Sequence, residues 1–145
     1  MALIVGFFLS YAFINQYSDY KGIKVSNGGD ELYFIQYGVY SSLESMEENT
    51  ISLQNYVYNI DDSKYFVYVG ITKDADNKEK ILKYFKDLGY AVVVKKYSIT
   101  NKKFLELLDN YDKTLKSTDD KTAISSIINQ VLIKYEEVVI NGSKN

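Results

Sequence analysis

The side chains that most enzymes rely on are missing from this 145-residue chain, which has no histidine and no cysteine. No Ser–His or Cys–His pair can form, and no imidazole or thiolate can hold zinc. Chemistry is left to carboxylates, since glycoside hydrolysis needs only two positioned acids. The nearest acids are Glu44, Glu47, Asp61 and Asp62. They read more simply as a helix cap, a solvated helix face and a turn. No catalytic residue, metal-ligand set or cofactor site is expected, so the chain reads as a non-enzyme. Aromatic rings are the other resource. Tyrosine occurs 15 times, so only rings that a strand places on an open face count as a binding platform.

The elements that would position such rings come from an internal repeat. Tyr33-Phe34-Ile35-Gln36-Tyr37-Gly38-Val39 recurs as Tyr65-Phe66-Val67-Tyr68-Val69-Gly70-Ile71. Both copies are β-branched and aromatic, which predicts strands. Each precedes a helix start. Ser41 is the expected N-cap of the first helix, with Glu44 reaching back as a capping box. Thr72 is the expected cap of the second, whose buried stripe is Ile81, Leu82, Phe85 and Leu88. Gly89 ends that helix as a left-handed cap. Strands are also expected over Val57 to Ile60, before the turn Asp61-Asp62-Ser63, and over Ala91 to Tyr97. The fold class is therefore α+β: a βαββαβ order giving a four-stranded antiparallel sheet with two helices on one face.

Strict alternation then divides the strand residues between two faces. Ile35, Tyr37, Val39, Val67, Val69 and Ile71 go to the helix side. Phe34, Gln36, Gly38, Tyr40, Phe66, Tyr68 and Gly70 go to the open side. That side would be an aromatic platform with an amide in it, and the two glycines would let a ligand approach the backbone. The competing expectation is that the C-terminal helices cover this face and the rings are core.

The run Phe34-Ile35-Gln36-Tyr37-Gly38-Val39-Tyr40-Ser41-Ser42, with Glu44 after it, resembles the opening of a SPOR domain, the sporulation-related repeat. Phe66-Val67-Tyr68-Val69-Gly70 resembles that family's third strand, and Leu82 through Leu88-Gly89-Tyr90 its second helix. The resemblance spans residues 32–97. It departs where Ile71 stands for a common proline and Tyr68 for a common basic residue. It implies peptidoglycan binding at sites of cell division or sporulation, with glycan strands as the ligand. Carried over, Gln36 would hydrogen-bond sugar groups, Phe66 and Tyr68 would present ring faces, and Tyr40 and Ser41 would sit at the rim. The glycan-binding set it implies is Phe34, Gln36, Gly38, Tyr40, Ser41, Phe66, Tyr68 and Gly70.

Outside that span, residues 1–17 are almost wholly apolar and read as a helix that anchors the chain in a membrane. A cleaved export signal or a buried helix are the alternatives. Residues 18–31 are polar, with Gly22, Gly28 and Gly29, and read as a tether. Residues 98–145 form a C-terminal extension. Two apolar stripes, Phe104 to Leu115 and Ile124 to Tyr135, predict a helical hairpin that packs on the domain or holds a protein partner. The formal charge of −2 and the lack of arginine count against nucleic acid. Taken with the resemblance, the apolar segment implies a single-pass bacterial membrane protein whose domain faces the cell wall. A protein-interaction domain reusing the same fold is the alternative.

Overall fold

A computed structural model of the chain describes residues 29–141, and the apolar N-terminal segment lies outside them. Four strands, β1 (Asp30–Tyr40), β2 (Val57–Asp61), β3 (Lys64–Thr72) and β4 (Val93–Ile99), form one antiparallel sheet in the order β2-β3-β1-β4. Four α-helices accompany it: α1 (Leu43–Asn49), α2 (Ala75–Asp87), α3 (Lys102–Lys116) and α4 (Lys121–Lys134). A π-helical segment, Tyr135–Ile140, continues α4. The expected α+β class, strand order and C-terminal pair of helices are all present. Among the described residues no helix is long and apolar enough to cross a membrane.

Local chemistry explains most element boundaries. The tight turn between β2 and β3 places Asp62 and Ser63 at positive φ, 53° and 65°, as a two-residue hairpin loop requires. Gly89 has φ +93° and ends α2 as expected. Its N–H reaches Lys86 O at 2.9 Å, and that of Tyr90 reaches Phe85 O at 3.0 Å. The helix starts differ from expectation. Ser42, not Ser41, caps α1, its hydroxyl accepting from Ser45 N at 3.0 Å. Asp74, not Thr72, caps α2, accepting from Asp76 N at 2.8 Å and Asn77 N at 3.0 Å. These backbone bonds, with the Lys116 amine, hold the Asp74 carboxyl below its usual range.

Alternation also fails at two places, and the reason is a pair of β-bulges. Along β1 and β3, Ile35 pairs with Gly70, Gln36 with Tyr68, and Gly38 with Val67. Val69 is thus an extra residue in β3 and Tyr37 an extra residue in β1. Gly70 consequently faces α2 rather than the expected open side. A Cβ there would lie 3.0 Å from Ile81 Cγ2 and 3.4 Å from Ile35 Cγ1. The glycine lets α2 close onto the sheet, and a ligand has no part in it. Gly70→Val overpacks this contact and should cost about 1–3 kcal/mol in denaturant unfolding. Wild-type stability in that variant would mean the helix does not rest on this strand.

Gly38 and Tyr40 are likewise displaced. Tyr40 pairs with Tyr65 and shares its surroundings with Tyr37, whose hydroxyl donates to Asn49 O of α1 at 2.9 Å. A Cβ on Gly38 would meet the Tyr40 ring. Both residues therefore sit on the α1 side, and Val39 takes the other face.

The face carrying Phe34 is not open at its centre. Phe34 is 0 % exposed and Tyr68 1 % exposed. Phe34 meets Tyr68, Tyr97 and Tyr135 edge-on, with ring centroids 5.5, 5.3 and 5.7 Å apart. Tyr135 in turn packs on Phe104 of α3 at 5.2 Å. The C-terminal extension is therefore part of the core. Leu105, Leu108, Leu115, Ile124, Ile128, Val131 and Leu132 are buried in one cluster with the strands. Burying both stripes removes them from water, so a protein partner cannot use them without opening the core.

Candidate functional site

Three surfaces follow from this packing. The first is what remains of the sheet face. At the far end from Phe34 the strands are uncovered. Gln36 and Val93 pair across β1 and β4, and Val39 and Phe66 pair across β1 and β3. Val39 is 40 % and Val93 52 % exposed, while Phe66 and Gln36 are half-buried. Gln36 Oε1 is buried with no hydrogen-bond partner, which is costly in a native structure. The uncovered end thus offers an apolar shelf beside a half-buried amide whose oxygen is turned away from solvent.

Of the eight residues expected to bind glycan, this end keeps Gln36 and Phe66. Ser41 is exposed just beyond the end of β1. Phe34 and Tyr68 are core, and the Tyr68 hydroxyl lies 2.7 Å from that of Tyr97. Gly38, Tyr40 and Gly70 belong to the helix side. The expected platform is therefore divided between an inaccessible half and an accessible half.

The second surface is a charged cleft of about 420 Å³ where the start of α2 meets α3, lined by Lys73, Asp74, Asp109, Asp112, Lys113 and Lys116. Its charges largely neutralise each other. Lys73 lies 2.8 Å from Asp30 and 4.0 Å from Asp109, and Lys116 lies 2.9 Å from Asp74. Among the described residues no acidic group cluster is arranged to hold a metal ion.

Asp112 explains why α3 docks here. It is 9 % exposed. Its carboxylate accepts from Thr72 Oγ1 at 2.5 Å, Lys73 N at 3.0 Å and Asn77 Nδ2 at 3.2 Å. Asn77 Nδ2 also donates to Asp112 O at 2.9 Å. Burial pushes the carboxyl above its usual range, against the pull of these donors. Lys80 completes the junction by donating to Leu115 O at 2.8 Å and Thr118 O at 2.6 Å at the C-terminal end of α3. This is a structural clasp made from groups that carry charge.

The third surface is a groove of about 710 Å³ between α2, α4 and the segment 54–55. Tyr84 and Leu88 form one wall, and Ser125, Asn129 and Ile133 the other. The α4 wall touches the segment 54–55 where Ser125 Oγ donates to Gln54 Oε1 at 3.3 Å. A smaller pocket of about 230 Å³ runs on from it towards Ser52 and Tyr90, whose hydroxyls lie 3.0 Å apart. Sequence reading did not find this groove. The polar side of α4 carried the only signal, in its serines and amides, and nothing local says which helix that side will face.

Compared with protein-family models, with curated proteins and with solved structures, the chain matches none.

Proposed function

We propose that this chain is a non-catalytic binding module for peptidoglycan glycan strands, tethered to the membrane through its apolar N-terminus with the domain facing the cell wall. The observation that carries the reading is the uncovered end of the sheet. There Gln36, a half-buried amide, lies on the same face as the half-buried ring of Phe66 and the exposed Val39 and Val93. A sugar offers C–H faces for this apolar shelf and hydroxyl or acetamido groups for the exposed part of the Gln36 amide. The SPOR resemblance points to the same ligand and the same glutamine. Missing histidine and cysteine remove the commonest catalytic groups, which favours holding over cleaving.

The test is co-sedimentation of the full chain with purified peptidoglycan, before and after removal of stem peptides. Binding should rise on removal. It should fall by about tenfold or more in a Gln36→Ala, Phe66→Ala variant, the loss expected when a ring contact and a hydrogen bond go together. A folded protein that ignores both preparations would sink the reading.

A further inference from the structure

We propose that the groove between α2, α4 and the segment 54–55 is a separate carbohydrate site, taking a short neutral oligosaccharide. The inference does not rest on the sheet-end reading, because it uses other residues on other elements.

The groove has the size of an ordinary small-molecule site, about 710 Å³ against a usual ~300–1,000 Å³. Its lining is unusual in charge and in polar content. Among the described residues, Lys121 is the one formally charged residue that lines it. That amine lies 4.0 Å from Asp87 and is largely solvated. Phosphate or nucleotide recognition calls for clustered cations, so an anionic ligand fits poorly.

Amides take the place of charge. Gln54, Asn55, Asn129 and Gln130 all border the groove; the Gln54 and Asn55 oxygens already accept from Ser125 Oγ and Tyr56 N, and an amide group carries both donors and acceptors. Asn129 is half-buried and Gln130 exposed, so both amides have solvent to exchange for a ligand. Thr122, Ser125 and Ser126 add hydroxyls along the same wall. A ligand that presents many groups able both to donate and to accept would match this lining, and sugar hydroxyls do so.

The apolar elements complete the match. The Tyr84 ring is held edge-on by Phe85, with centroids 5.1 Å apart and planes at 83°, so its orientation is set before any ligand arrives. Leu88 and Ile133 flank it, 55 % and 36 % exposed. A ring platform with small apolar flanks in a bed of amides suits the C–H face of a pyranose.

The test is a titration of the ¹⁵N-labelled full chain in detergent micelles, followed by amide chemical shifts. The probes are triacetylchitotriose, cellotriose and an uncharged Ser-Asn-Gln peptide. Shifts in 52–55, 84–90 and 121–133 with either sugar are expected. Tyr84→Ala should weaken that binding about tenfold, and Tyr84→Phe should leave it within about twofold. Asn129→Ala with Gln130→Ala, on the outer side of α4, should also weaken it without loss of fold. Gln36→Ala with Phe66→Ala should leave these shifts unchanged whatever it does to wall binding, which keeps the two readings apart. No shifts with either sugar, shifts confined to the sheet end, or shifts with the peptide alone would overturn the proposal.

Discussion

Replacing Phe34 by alanine should lower the unfolding free energy by about 3–5 kcal/mol, the usual loss for a fully buried ring. In thermal unfolding that corresponds to a drop of about 10 °C or more. The argument is geometric. Phe34 touches three other rings edge-on and has no exposed surface. Truncation leaves a cavity under Tyr135 and removes one of the contacts between the sheet and the C-terminal extension. Phe66→Ala, one strand over and half-exposed, should cost about 1 kcal/mol, because a partly solvated ring loses less on truncation. The pair of variants separates the two halves of this sheet face. If Phe34→Ala folded with near wild-type stability, the face would be open and the rings would be a platform after all.

A second large effect is expected at Asp112. Asp112→Ala should cost about 2–3 kcal/mol near neutral pH, since it strands the hydroxyl of Thr72, the N–H of Lys73 and the amide of Asn77 in a largely buried place. Asp112→Asn keeps the shape and one of the two acceptor oxygens, that facing Thr72 and Asn77, and should cost less. The two differ from wild type in pH dependence as well. Burial raises the Asp112 pKa above the unfolded value. The folded state therefore binds its proton more tightly than the unfolded chain does. The stability this provides is full below the ordinary carboxylate pKa and is lost as pH rises through the folded value. Wild type should lose stability over that acid window relative to Asp112→Asn. Denaturant melts at several pH values check this. Parallel curves for the two proteins would mean the carboxyl titrates as it does in water.

Much of this architecture can be read from local pattern, and the failures share a cause. The repeat, the β-branched runs, Gly89 and the two C-terminal stripes each depend on neighbours within a few residues, and each produced the element expected. Thr72 is different. Its hydroxyl suits an N-cap, but Asp112, 40 residues away, takes it, and Asp74 caps the helix instead. An acid on the apolar side of α3, four residues after Leu108, was the visible sign that a buried polar partner would be needed. The stripes of α3 and α4 show that something must cover them, but an amphipathic face does not name its partner. For the same reason the sequence could not decide whether Phe34 and Tyr68 were platform or core. Gln36 and Phe66 stayed accessible only because the covering contacts lie at the other end of the sheet.

The two bulges in β1 and β3 carry a consequence for changes in chain length. Val69 adds one residue to one strand and Tyr37 adds one to its neighbour, so the pairing resumes beyond them in its original register, with Gly38 opposite Val67 as Ile35 is opposite Gly70. They behave like two compensating frameshifts in a message. Loss of either residue alone would leave every partner on one side out of frame, turning core side chains to water. Loss of both would restore the frame while removing the local offset that sets Gln36 against Tyr68. The Gln36–Tyr68 pair between them is thus the point where the two strands are offset, with the sheet in frame on either side.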